Sequence, residues 1–283
     1  MAGTTVRSRR LAGLLKEYRK AAGLRQAAVA AHLGRTNVWV SRTETPATCR
    51  PSVGDVRTLL ALYGVTDPAE TERAVQLAIA AREQGWWHAY DLSEMHASFI
   101  ALESEAVSKR VWESGFIPGL LQSEGYARAV IAAGPEPLDP ERLESLVEAR
   151  MKRQKILHRE RPLMLHAIAD EAALARGAGK REVMAAQLAH LAEAAQMPNV
   201  TFQVLPFAAG PHPGATGSLT ILEYVDTGDP DVLYVETPAG SMYVEEDRDV
   251  KRNYRAFAHL IALALSPRGS MDLVAKYAAD LQA

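Results

Sequence analysis

Cysteine occurs once in the 283 residues, at position 49, which excludes an internal disulfide; a lone thiol in a loop reads as incidental rather than as a redox switch. No apolar run reaches the roughly 18 residues of a membrane-crossing helix. The opening MAGTTVRSRR has basic residues but no apolar stretch behind them for a signal peptide, so the expected location is the cytoplasm. There is no HExxH and no paired CxxC, and His88, His96, His158, His166, His190, His212 and His259 are scattered without a helical spacing of four; no metal site follows. Gly210, Gly214 and Gly217 are too irregular for a phosphate-binding fingerprint, so no nucleotide cofactor follows. A GxSxG elbow is missing, and Ser218, His212 and Asp226 make a triad by chance alone. The residues predict no cofactor and no enzymatic reaction.

What is present is an ordinary composition, 48% hydrophobic and 23% charged, long enough for two domains. The net charge of −2 hides an asymmetry. Residues 1–66 hold eleven Lys or Arg against three acids, leaving twenty-one against thirty-one in the remainder. A basic head on an acidic body concentrates phosphate-binding charge at one end and predicts affinity for nucleic acid that falls with salt. The basic arm Arg7 to Arg10 either follows the DNA backbone or minor groove or stays solvated.

The expected architecture is α+β: an all-α five-helix head over residues 1–84 and a larger α+β body over 85–283 with a small mixed or antiparallel sheet. In the head, Leu11, Leu14, Leu15 and Tyr18 make an apolar stripe on a first helix that ends at Gly23. Further helices begin near Gln26, Thr36, Ser52 and Pro68. Aromatic residues are only 6% of the chain, so the adjacent Trp86 and Trp87 stand out; they read as the joint between domains, one ring in each core. In the body, helix is expected over 92–109, 123–133, 140–159, 180–196, 247–265 and 271–282. Period-two alternation marks strands over 163–168, 200–205, 218–224, 232–236 and 241–244, with tight Asp-Gly-type turns among the last three. The basic run Arg150 to Arg159 either contacts DNA flanks or, as such runs more often do, forms a solvated face that pairs with nearby acids.

The segment GLRQAAVAAHLGRTNVWVSRTETPATCRP, residues 23–51, has the logic of a DNA-reading helix-turn-helix. Gln26 opens a short helix with Val29, Ala30 and Leu33 on one face, Gly34 stops it, and Thr36 can cap a second helix in which Val40 faces inward. Asn37, Val38, Ser41 and Arg42 are left outward. Those types suit a major groove: Asn pairs with an adenine edge, Arg with guanine or phosphate, and Val meets a thymine methyl. Arg25 and Arg35 flank the motif as phosphate clamps.

On these residues the segment resembles the phage-repressor type, or XRE family, of helix-turn-helix domains over Arg9 to Val65. The resemblance implies that Gln26 holds a phosphate and braces the recognition helix, and that Arg19 and Glu44 form a buried salt bridge. Thr43, Ala27, Ala28 and Pro46 depart from the family pattern. The phrases VWESGFIPGLLQSEGYARAVI, QVLPFAAGPHPGATGS and VLYVETPAGSMYVE resemble the C-terminal domain of the WhiJ-like group of actinomycete regulators. That resemblance implies a transcription factor, often encoded beside a small partner protein in a toxin-antitoxin-like arrangement. The partners expected are double-stranded DNA, a second copy of the chain, and either a small protein or a small-molecule effector. An effector pocket, if the body has one, draws on Glu105, Trp112, Phe116, Tyr126, Phe202, Phe207 and His212.

Overall fold

The computed structural model describes residues 6–82, 85–90, 92–135, 137–224, 231–237, 240–244 and 246–281. Packing divides the chain into Met1–Leu102 and Glu103–Ala283, so residues 85–102 cluster with the first unit and not with the body.

The first unit opens with helices α1 (Val6–Ala21), α2 (Gln26–Leu33), α3 (Asn37–Thr43), α4 (Val53–Leu62) and α5 (Pro68–Arg82). Leu11, Leu15, Val29, Val40, Val56 and Leu59 are fully buried in one core, each from the apolar stripe of its helix. Two local devices fix the ends. Gly34, at φ +62, closes α2 in the left-handed conformation that glycine adopts without strain, and Arg35 N donates back to Ala30 O. Ser52 and Asp55 form a reciprocal capping box on α4. Arg7 to Arg10 are not a free arm: they form the first turns of α1, with Ser8 buried. Cys49 lies in a loop, as expected, with its side chain in the core and its thiol donating to Thr43 O. Burial pushes that thiol up to about 12, far from thiolate chemistry.

Trp86 and Trp87 open a short 3-10 turn, Trp86–Ala89, before α6 (Glu94–Glu105). Their rings do not divide between two cores. They pack edge to face, centroids 6.0 Å apart, in one small cluster with Ala97, Ile100 and Ala101, because the tight turn lets neighbouring side chains share a side.

The body is built on six strands: β1 (Ser108–Glu113), then α7 (Glu124–Ala132), α8 (Pro140–Gln154), β2 (Met164–Asp170), α9 (Ala172–Ala175), α10 (Arg181–Ala194), β3 (Val200–Leu205), β4 (Leu219–Glu223), β5 (Val232–Thr237), β6 (Gly240–Val244), α11 (Asp247–Leu263) and α12 (Pro267–Asp280). The order is β3-β2-β1-β4-β5-β6. β1, β2 and β3 run parallel, as their helical crossovers require, while β4, β5 and β6 add antiparallel. The sheet is therefore mixed. Its central strand β1 begins at Ser108 and Lys109, where a helix was expected to end. The turn residues 225–230 and 238–239, where Asp-Gly chemistry was expected, and Asp226 lie outside the described residues.

Cross-strand register assigns the two faces. Trp112, Ile168, Leu219, Ile221 and Leu233 share one face, covered by Val250, Phe257 and Leu260 of α11. Val111, Ala167 and Phe202 are in register with one another on the opposite face. The outer edge of β3 is closed by α12, whose Ser270 Oγ accepts from Val204 N at 2.9 Å, removing an open template for strand addition.

Charge is buried on that second face. Lys109 of β1 and Arg153 of α8 meet one carboxylate, Glu103: Lys109 Nζ lies 2.7 Å from Oε1 and Arg153 Nε 2.5 Å from Oε2. Burial alone would raise the Glu103 carboxyl, but Arg153 and Lys109 outweigh it and hold it below the ordinary range. Burial lowers the Lys109 ammonium, with Glu103 offsetting only part of the effect, since Arg153 competes for the same carboxylate. Of the basic run, Arg153 is thus turned inward onto an acid, while Lys155 and Arg159, beyond α8, are exposed.

Glu103→Gln leaves two buried cations without a counter-charge and is expected to cost about 3–5 kcal/mol, read as a lower urea midpoint at unchanged slope. A loss under about 1 kcal/mol would mean that water or relaxation replaces the carboxylate. Because the folded carboxyl titrates below its ordinary value of 4.5, its stabilisation is present above that pH and is lost as pH falls through the lowered folded value. The acid limb of an unfolding curve should flatten in the Gln variant.

Candidate nucleic-acid interface

The second helix of the motif, α3, is held from behind by one carboxylate. Glu44, at its C-terminal cap and buried, accepts from Arg19 Nε at 2.6 Å, Arg19 NH2 at 2.8 Å and Gln26 Nε2 at 2.9 Å. Arg19 also donates to Leu24 O at 2.7 Å, in the turn between α1 and α2. The hydrogen bond to Glu44 raises the Arg19 guanidinium further above its ordinary value. A bidentate fork fixes direction as well as distance, so α1, α2 and α3 meet at a single point. Tyr63 approaches the same site; burial, reinforced by Glu44, pushes its hydroxyl up to about 12.

With its back fixed, α3 turns a row of side chains outward. Thr36 Oγ1 accepts from Trp39 N at 3.1 Å and caps the first turn. Thr36, Asn37 and Arg42 are exposed, Ser41 is half-buried, and Val38 is 60% exposed. Arg25 and Arg35 are exposed and Gln26 is half-buried. Free donors, a free amide and an unburied methyl pair stand together on one helix face, the set that a base-pair edge can engage.

Three features of this surface were not legible in the sequence reading. Trp39 packs its indole against the head core, and Arg35 stacks over it, guanidinium carbon 5.1 Å from the ring centroid. Arg35 NH2 also lies 3.4 Å from Asp55 Oδ1, so this cation is aimed by a ring and an acid. The signal available was Trp at the fourth position after Arg35, one helical turn on. Thr45 and Thr48 donate to Ser41 O and Arg42 O, at 2.8 and 3.0 Å, satisfying carbonyls at the end of α3. Thr43, where a bulky apolar residue was the family expectation, is buried with its hydroxyl bonded to Val40 O at 2.7 Å.

The residues proposed from sequence as an effector pocket are not brought together. Trp112 and Phe202 sit on opposite faces of the sheet, so no single cavity takes both rings. Trp112 is fully buried, bonded through Nε1 to Gly214 O at 2.9 Å and met edge-on by His212 at 5.2 Å. Tyr126 is buried, its hydroxyl accepting from Ile117 N at 3.2 Å, while Phe116 and Phe207 are exposed. Glu105 ends α6. Aromatic content indicated core, and only strand register could separate the faces.

Residues 10–74 match a helix-turn-helix domain, which with the geometry of α2 and α3 supports a DNA-binding regulator. Residues 96–276 match the family described as Domain of unknown function (DUF5753), and the chain belongs to that family. No curated protein and no solved structure matches the chain.

The clasp is testable through the single cysteine. Cys49 is buried in the head core, so a thiol reagent labels it only when the head opens. Glu44→Ala leaves Arg19 without its partner and is expected to destabilise the head by about 3 kcal/mol, speeding labelling roughly a hundredfold in the intact chain. Unchanged labelling would show that the clasp does not hold the head closed.

Proposed function

We propose that this protein is a cytoplasmic, sequence-specific regulator of transcription that binds double-stranded DNA through a phage-repressor type (XRE) motif. Helix α3 enters the major groove. Asn37, Val38, Ser41 and Arg42 face base edges; Arg25, Gln26 and Arg35 face phosphates. The observation that carries this reading is the exposed row on α3 above a buried Glu44 that two other helices grip. An ordinary surface helix has no need of an exposed Val38 beside an unpaired amide, and favours Glu and Lys there. One small head buries too little surface for tight specific binding, so two heads acting on half-sites about one turn of duplex apart are expected, paired through the WhiJ-like body.

The body's role is binding rather than catalysis in this reading: it pairs the heads and takes up an effector. The acidic balance of the remainder, thirty-one acids against twenty-one bases, favours a second arrangement. There the body captures a small basic protein, antitoxin-like, and DNA binding regulates the operon that encodes both. Co-purification of a stoichiometric basic partner from native cells would select it.

Selection from a random duplex pool with the full chain should converge on a palindromic site. On that site Arg42→Ala is expected to cost about 1–3 kcal/mol and relax preference at one position per half-site, whereas Arg25→Ala weakens all sequences alike and lowers the salt slope by about one. Failure of the pool to converge, with binding indifferent to both substitutions, would refute the assignment.

A further inference from the structure

Among the described residues of the body, one guanidinium has no carboxylate at ion-pair distance. Arg150 and Arg153 stand three residues apart on α8 and so share a side of the helix. Arg153 is committed to Glu103. Arg150, half-buried, makes one hydrogen bond, from NH1 to Gln122 Oε1 at 2.8 Å, and that acceptor is neutral. Gln122 is in turn fixed, buried and donating through Nε2 to Ile117 O at 2.7 Å. Among the described residues no carboxylate pairs with Arg150 within 4.0 Å, and its side chain keeps partial access to solvent. Burial, and then the like charge of Arg153, bring this guanidinium down to about 10.

The surface beneath it is polar in a patterned way. Strand register puts Lys109, Glu113, Tyr234, Glu236 and Tyr243 on the sheet face toward which Arg153 reaches. The rings of Tyr234 and Tyr243 lie 5.3 Å apart, and the Tyr234 hydroxyl is 2.9 Å from Ser241 Oγ. Burial raises the Glu113 carboxyl. Glu113 and Glu236 both act electrostatically on Arg150 without pairing with it.

We propose that this face of the body binds a small carboxylate-bearing molecule that also carries a hydroxyl or amino group. Its carboxylate is taken by the guanidinium edge of Arg150 not bonded to Gln122, its neighbouring donor by Glu113 or Glu236, and its body lies beside Tyr243, the half-buried ring of the pair. A planar singly charged oxyanion matches the guanidinium fork, whereas a phosphate dianion brings twice the negative charge toward Glu113 and Glu236. The proposal gives a place to the effector role suggested above, and it stands whether or not the head binds DNA.

Arginine-directed labelling of the full chain with phenylglyoxal, read by peptide mass spectrometry, tests it without DNA. The probes are acetate, lactate, glycine and inorganic phosphate at matched ionic strength. Arg150 should label faster than Arg153, lactate or glycine should slow it several-fold, and the same two should raise Tm with the logarithm of their concentration. Arg150→Lys, which keeps charge but loses the fork, should abolish the Tm response. Gln122→Glu, which supplies a carboxylate to Arg150 from within, should abolish it as well. Protection by phosphate alone, no protection by any carboxylate, or a Tm response that survives in both variants would overturn the proposal.

Discussion

One buried carboxylate organises the DNA-facing unit. Glu44 ends α3 and is held at once by α1 through Arg19 and by α2 through Gln26, so the angle between the motif helices is set by hydrogen-bond geometry rather than by apolar contact alone. A buried ion pair adds little net stability, because desolvation consumes much of the Coulomb gain. What it adds here is direction. Apolar packing of Val29 and Val40 would tolerate a small rotation of α3, which would carry Asn37 and Arg42 off a groove; a bidentate fork does not.

The rest of that surface is arranged around the same idea of aiming side chains by their neighbours. Arg35 is steered by Trp39 and Asp55, while Thr45 and Thr48 satisfy the carbonyls behind Arg42. Preset side chains lose less conformational entropy when a ligand arrives. The body uses a related economy around Glu103, where two cations share a single acid. That leaves Arg150 as the cation whose neutral partner, Gln122, does not answer its charge, and this imbalance is what points to a ligand.

Local signals were legible where the physics was local. Gly34, Thr36 and Ser52 are read from neighbours within a turn, and the structure has helix ends at each. The strand Val200–Leu205 alternates plainly because one of its faces is apolar throughout. β1 was illegible for the opposite reason. Ser108-Lys109 looks like the polar end of a helix; inside the sheet the charges of Lys109 and Arg110 are met by Glu103 and, at 2.6 Å, by Glu223. The tryptophan pair and the aromatic residues of the body are illegible for a similar reason, since aromatic type indicates burial but not which core or which sheet face.

The amino-acid sequence alone therefore determined the helix-turn-helix, its capping and the outward row on α3, since side-chain chemistry within a few residues decides each of these. It also determined that the chain joins a basic head to an α+β body. Tertiary structure alone decided the strand order, the two faces of the sheet, the burial of Cys49, the pairing of Arg153 with Glu103, and the meeting of Arg150 with a neutral partner. Those outcomes depend on residues far apart in the chain, and the cost of burying a charge can be judged only once its partners are in place.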